Sequence, residues 1–144
     1  MFAKILVAID LDDEAANDRT LDIAEEMANL HDAELHVMTV MPTYSMAIVG
    51  SFFPKEHEKQ ALEGVRSALK EVLDKRNPPP KGLKGHVAHG TIYDEIMKAA
   101  NKLGCDLIIM ASNRPELQDY LLGPNAARVV RHAKQSVFVV RPKL

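Results

Sequence analysis

Four short segments hold the residues whose types and spacing could do chemistry: Ala8-Ile9-Asp10-Leu11, Thr39-Val40-Met41, Ala111-Ser112-Asn113-Arg114 and Gly123-Pro124-Asn125-Ala126. A carboxylate such as Asp10 can accept hydrogen bonds from ribose hydroxyls. Backbone around Val40 can offer polar groups and an apolar wall to a purine. Gly123-Pro124 reads as a helix start, whose free N–H groups and positive dipole end suit a phosphate, and Arg114 adds a fixed positive charge. Together these features describe a nucleotide site. Each also has a plainer reading. Asp10 equally fits a residue that stabilises the start of the following helix, Gly123 an N-cap that needs no ligand, and Arg114 a solvated surface arginine.

Other chemistries lack their residues. Gly85 and Gly90 have the glycine spacing of a P-loop, but Thr91 stands where its lysine belongs. No GxGxxG supports hydride transfer, no GxSxG supplies a nucleophile elbow, and the six histidines include no HExxH. His86 and His89, on a strand, point to opposite faces. The single cysteine, Cys105, directly precedes an apolar strand, where a thiol more often packs than reacts. No catalytic set is visible, so turnover is at most slow nucleotide hydrolysis. No metal is expected.

The elements that must position the four segments follow from hydrophobic patterning. Ile5–Ile9 is a continuous apolar run, the pattern of a parallel strand covered on both faces. Asp12-Asp13-Glu14 then supplies an N-cap and first-turn charge for a helix over roughly 13–31, with Ala16, Thr20, Ile23, Met27 and Leu30 as its apolar stripe. Ala33–Val40 is a second strand. A long connection runs to about Lys55, and a helix carrying Leu62, Val65, Leu69, Val72 and Leu73 ends before Asn77-Pro78-Pro79-Pro80. Leu83–His89 is an edge-type strand. Thr91 with Asp94 resembles a capping box ahead of a helix with Ile92, Ile96, Ala99 and Leu103, closed by Gly104. Asp106–Ala111 is a central strand. After Gly123-Pro124 comes a helix in which Ala126-Ala127 and Val129-Val130 face the core, and Ser136–Val140 is the last strand.

This alternation predicts one α/β domain over residues 1–144, a doubly wound, five-stranded parallel sheet of order 3-2-1-4-5. In such a sheet the chain winds away in opposite directions from the two central strands and leaves a crevice at their carboxyl ends, where all four segments meet. With 47% hydrophobic and 26% charged residues the chain can bury a core. Eighteen basic against 20 acidic side chains leave a net charge of −2, too balanced for a nucleic-acid binder. No membrane span is expected, and the amino-terminal segment reads as a strand, not a leader. One cysteine fits a reducing compartment, and the cytoplasm is the expected location.

The segments KILVAID (4–10), AELHVMTVMP (33–42), HGTIYDEIMKAA (89–100) and ASNRPELQDYLLGPNAARVVRHAKQSVFVVRP (111–142) together resemble the universal stress protein family, in particular its short single-domain F-type and G-type members. The resemblance implies a Rossmann-like domain of the adenine nucleotide alpha hydrolase kind, a homodimer formed through the last strand, and ATP or AMP held as a regulatory ligand. It assigns Ala8, Ile9 and Asp10 to the adenosine end, backbone at Val40 to the base, Ala111, Ser112, Asn113 and Arg114 to ribose and phosphates, and Gly123, Asn125 and Ala126 to the phosphate tail. The family's signature of Gly, two residues, Gly, nine residues, then Gly with Ser or Thr is only partly kept. Ala111 and Arg114 replace the first two glycines, eight residues intervene, Gly123 matches, and Pro124 takes the place of the Ser or Thr. Ala111-Ser112-Asn113-Arg114-Pro115 is similar to the F-type form of this loop, for which nucleotide binding is still expected. The other function compatible with the altered signature is a nucleotide-independent dimeric interaction module.

Overall fold

The computed structural model describes residues 1–42, 55–76, 82–112 and 123–143. Strands β1 (Lys4–Ala8), β2 (Glu34–Pro42), β3 (Lys84–Gly90), β4 (Leu107–Ala111) and β5 (Ser136–Val140) alternate with helices α1 (Glu14–His31), α2 (Lys55–Asp74), α3 (Ile92–Leu103) and α4 (Pro124–His132). All neighbouring strands run parallel in the order β3-β2-β1-β4-β5. The expected architecture is therefore present, with β1 at its centre.

Alternation along each strand splits the core into two layers. Ile5, Val7, Leu35, Val37, Leu107 and Ile109 face α1 and α2, where they meet Leu21, Ala24, Ala28 and Leu69. Leu6, Met38, Ile108 and Met110 face α3 and α4 and pack on Ile96, Ala100, Ala126 and Val129. Ile5, Leu6 and Val7 have no exposed surface, which is why β1 reads as an unbroken apolar run.

Asp13 caps α1 by accepting a hydrogen bond from the Ala16 amide at 3.1 Å. The inward face of this helix differs from the expected stripe. Asn17, Thr20, Leu21, Ala24 and Ala28 are buried, whereas Leu30 is 75% exposed. Small residues on the inner face let the helix sit close to the sheet, so the large apolar residues mark its flank. In α4, Ala126 and Val129 are buried, but Ala127 and Val130 are exposed. A nine-residue helix beside an edge strand has core on one side only. Thr91 sits at the N-cap of α3 without a side-chain bond, so the capping box does not form. Thr91 is exposed, where water can serve the first-turn amides. Arg76, just past α2, bonds Glu25 and Asp22 of α1 and ties the two helices together over the sheet.

A polar cluster lies at the end of the sheet away from the strand carboxyl termini. His36 is buried, with Nε2 2.7 Å from Glu34 Oε1 and Nδ1 2.8 Å from His86 Nε2. Only one hydrogen fits between the two rings, so charging both would set N–H against N–H. Lys84, Lys4 and Cys105 are the other titratable groups that sense this cluster. Burial first, then the charges of His36 and Lys84, push His86 below the ordinary imidazole range, and the hydrogen bond from His36 holds Glu34 below the usual carboxylate range. As pH falls through about 6.5 the unfolded chain takes the His86 proton before the folded one does, so stability present at neutral pH declines. Glu34 adds a loss of the same sign once the pH drops below about 4.5. Urea midpoints should therefore fall between about pH 7 and pH 5, and His86→Gln should flatten that slope. Parallel slopes in the two proteins would uncouple the pair from folding.

Candidate functional site

A cavity of about 760 Å³ opens at the carboxyl ends of the strands, where the chain leaves β1 and β4 toward opposite faces of the sheet. This size suits a small organic ligand. Its floor is Ala8, Ile9 and Asp10 from β1, Thr39, Val40 and Met41 from β2, and Met110 and Ala111 from β4. One flank is the start of α4, Gly123 to Ala126, with Ile92 and Ile96 of α3. The opposite flank is Ala16 and Asn17 of α1 with Ala61, Gly64, Val65 and Ala68 of α2.

The sheet and α1 fix the loop after β1. The Ile9 amide donates to the Met38 carbonyl at 2.9 Å, continuing the β1–β2 ladder past the last strand residue. Asp10 is then held by Asn17: its amide donates to Asn17 Oδ1 at 3.1 Å, and its carbonyl accepts from Asn17 Nδ2. Asp10 Oδ1 accepts from the Asp12 amide at 3.0 Å, an Asx turn, while Asp13 serves as the helix cap. The Asp10 side chain thus shapes its own loop. It remains exposed at the cavity mouth, with a second carboxylate oxygen to offer.

At the opposite flank, Gly123 precedes α4 with φ 83° and ψ 158°. That conformation belongs almost wholly to glycine, which gives Gly123 a structural reason independent of any ligand. Pro124 is the first helical residue and has no N–H, so Asn125 and Ala126 carry the first-turn amides that face the cavity. These amides and the helix dipole make this flank the electropositive one. The only charged side chains among the described lining residues are Asp10 and Asp12.

Of the expected site residues, the structure therefore brings Ala8, Ile9, Asp10, Val40, Ala111, Gly123, Asn125 and Ala126 around one cavity. Ser112 is not in its wall. It is 7% exposed and its amide is taken by the Val140 carbonyl at 3.0 Å, because the ladder to β5 runs one residue beyond β4. Asn113 and Arg114 lie outside the described residues. Asn17 and the α2 residues in the wall were not among the expected site residues. Asn17 is a polar residue on the inner, small-residue face of α1, a signal that counting large apolar residues passes over.

Among the described residues no group of three or more His, Cys, Asp or Glu could hold a metal ion. Cys105 is buried at the other end of β4, and burial pushes its thiol up to about 11, unsuited to nucleophilic work near neutral pH. No described helix is long and apolar enough to cross a membrane.

Comparison with known proteins agrees with this fold. Universal stress protein G of Escherichia coli O157:H7 is 28% identical over 143 residues, covering 98% of this chain and 100% of that protein. The solved structure of MJ0577 matches at TM-score 0.82 with 23% identity, covering 100% of this chain and 99% of that one. A universal stress protein solved in complex with cAMP matches at TM-score 0.69 with 20% identity and 97% coverage of both chains. The likeness to these structures is one of fold. The model of the universal stress protein family matches residues 1–141, and on that match the chain belongs to this family.

Proposed function

We propose that the chain binds an adenine mononucleotide, ATP or AMP, in this cavity as a regulatory ligand. The observation that carries the reading is the opposition, across one cavity, of the α4 amides of Asn125 and Ala126 to the carboxylate-bearing loop of Asp10. Phosphate belongs at the first and ribose hydroxyls at the second. Backbone at Val40 meets the base, and Ala111 flanks the sugar. The family relative solved with cAMP supports the same ligand class.

Pro124 shapes the preference within that class. Where the family signature has Ser or Thr, this chain lacks both a hydroxyl and an amide hydrogen, so two donors to a phosphate chain are missing. The phosphates beyond the first gain little, and AMP binds about as well as ATP. The protein acts as a homodimer through β5, an edge strand on which Phe138 is 38% exposed, and it works in the cytoplasm, where a lone reduced cysteine is at home.

Calorimetric titration of the protein, with light scattering on the same sample, tests the reading. A dimer that takes up AMP and ATP saturably is expected, and Pro124→Ser should favour ATP by up to about tenfold. Absence of saturation below about 1 mM, equivalent to about 4 kcal/mol, would overturn it and leave the dimer edge as the functional surface.

A further inference from the structure

The cavity wall changes character from one face of the sheet to the other. On the α1–α2 side, Thr39 follows Leu35 and Val37 on the same face of β2. Thr39 is 5% exposed, it lines the cavity, and among the described residues its hydroxyl has no hydrogen-bond partner. No buried side-chain nitrogen or oxygen among the described residues lacks a partner, so this hydroxyl is open to the cavity, where a ligand can reach it. Leu35 and Val37 precede it, and Val65 with Ala68 stand among the α2 residues in the wall. The polar neighbours on α1 are already engaged, Asn17 with the Asp10 backbone and Thr20 with the Ala16 carbonyl.

The α2 residues on this side are small: Ala61, Gly64 and Ala68. Gly64 lies inside a helix, where glycine weakens the element. Steric need does not explain it, because a Cβ built there would meet nothing within 4 Å. Its effect is to leave the space beside Val65 open. The charges on the described wall, Asp10 and Asp12, are both negative, so a phosphate is repelled from the Asp10 flank and drawn to the start of α4. What remains for the α1–α2 side is a neutral, flat group with hydrogen-bonding atoms on its rim.

We infer that the ligand's base enters the α1–α2 side of the cavity, where the Thr39 hydroxyl reads its edge and Gly64 sets the depth available to it. This rests on the nucleotide reading above and adds two specificity-determining residues to it. A hydroxyl can donate or accept, so Thr39 can pair with an exocyclic amine or with a ring nitrogen. The small α2 residues let the apolar faces of a purine approach the helix closely.

AMP titration of Thr39→Val, Thr39→Ser and Gly64→Leu, with ribose 5-phosphate as a competitor lacking the base, tests the assignment. Thr39→Val removes the hydroxyl at nearly constant volume and should weaken AMP by about three- to tenfold. Thr39→Ser keeps the hydroxyl and should stay within about twofold of the wild type. Gly64→Leu should weaken AMP by at least about tenfold while raising the melting temperature, because leucine is the better helix former. Ribose 5-phosphate should displace AMP with the same inhibition constant from wild type and Thr39→Val. Unchanged AMP affinity in Thr39→Val and Gly64→Leu would overturn the inference and leave the nucleotide reading intact. Equal weakening of AMP and ribose 5-phosphate would overturn it too, since Thr39 would then act on the sugar or the fold. A wild type that binds no AMP would overturn both readings.

Discussion

Asn17→Leu is expected to lower the unfolding free energy by about 2–3 kcal/mol and to weaken adenine-nucleotide binding at least about tenfold. The side chain is 5% exposed and makes both of its hydrogen bonds to one residue, accepting from the Asp10 amide and donating to its carbonyl. Asparagine does this because its amide carries a donor and an acceptor side by side, matching the N–H and C=O of an extended peptide. Leucine has similar volume and no polar atoms, so it removes the clamp without opening a cavity. It also leaves the partly buried Asp10 amide without a partner, which costs about 1 kcal/mol or more, while the Asp10 carbonyl keeps the Asp13 amide at 3.0 Å. The loop from Asp10 to Asp12 then loses its side-chain clamp from α1 and keeps the Asx turn to the Asp12 amide and the turn from the Asp13 amide to the Asp10 carbonyl. Asn17→Asp keeps the acceptor but sets a carboxylate oxygen against the Asp10 carbonyl, so it should destabilise as well. Urea denaturation and calorimetric titration read the two effects separately. A leucine variant that is destabilised yet binds AMP like the wild type would remove the Asp10 loop from the site.

How much of this could be read from the residues alone depended on whether burial shows as large apolar side chains. β1 and β4 are covered on both faces and appear as the runs ILVAI and DLIIMA, so the sheet order and the position of the crevice followed directly from them. The inner face of α1 did not follow. Asn17, Thr20, Ala24 and Ala28 are small or polar and sit close against the sheet, whereas Leu30 invites assignment to the core and is exposed. The same effect hid the α2 side of the cavity, since Ala61, Gly64 and Ala68 have no chemistry of their own and matter through the volume they leave. Val130 was misplaced for a topological reason. α4 lies beside the last strand, and a helix at a sheet edge has one neighbour layer where a central one has more. Ser112 failed on register: whether β4 bonding stops at Ala111 or carries on to the next amide is set by β5, which lies 24 residues later in the chain, at Ser136.

Gly123→Ala is the second substitution with a large expected effect, about 1–3 kcal/mol of stability together with a loss of nucleotide affinity. At φ 83° and ψ 158° a Cβ collides with its own backbone, and the strain is relieved only by rotating the residue out of this region. That rotation swings the start of α4, because the Gly123 carbonyl accepts the Ala127 amide at 3.0 Å and so belongs to the first helical turn. The amides of Asn125 and Ala126 move with it, and the pocket loses the donors that face a phosphate. Gly104→Ala separates strain from function. Gly104 closes α3 at φ 72°, a Cβ there meets nothing within 4 Å, and the residue lies outside the cavity wall. Alanine at that position should cost about 1–2 kcal/mol for the left-handed conformation and leave AMP affinity unchanged. Thermal melts and titrations of the two variants, matched for stability by temperature, give the comparison. If both lose affinity in proportion to their stability, Gly123 acts through the fold. If only Gly123→Ala does, the start of α4 is a ligand-binding element, which its conformation alone does not require.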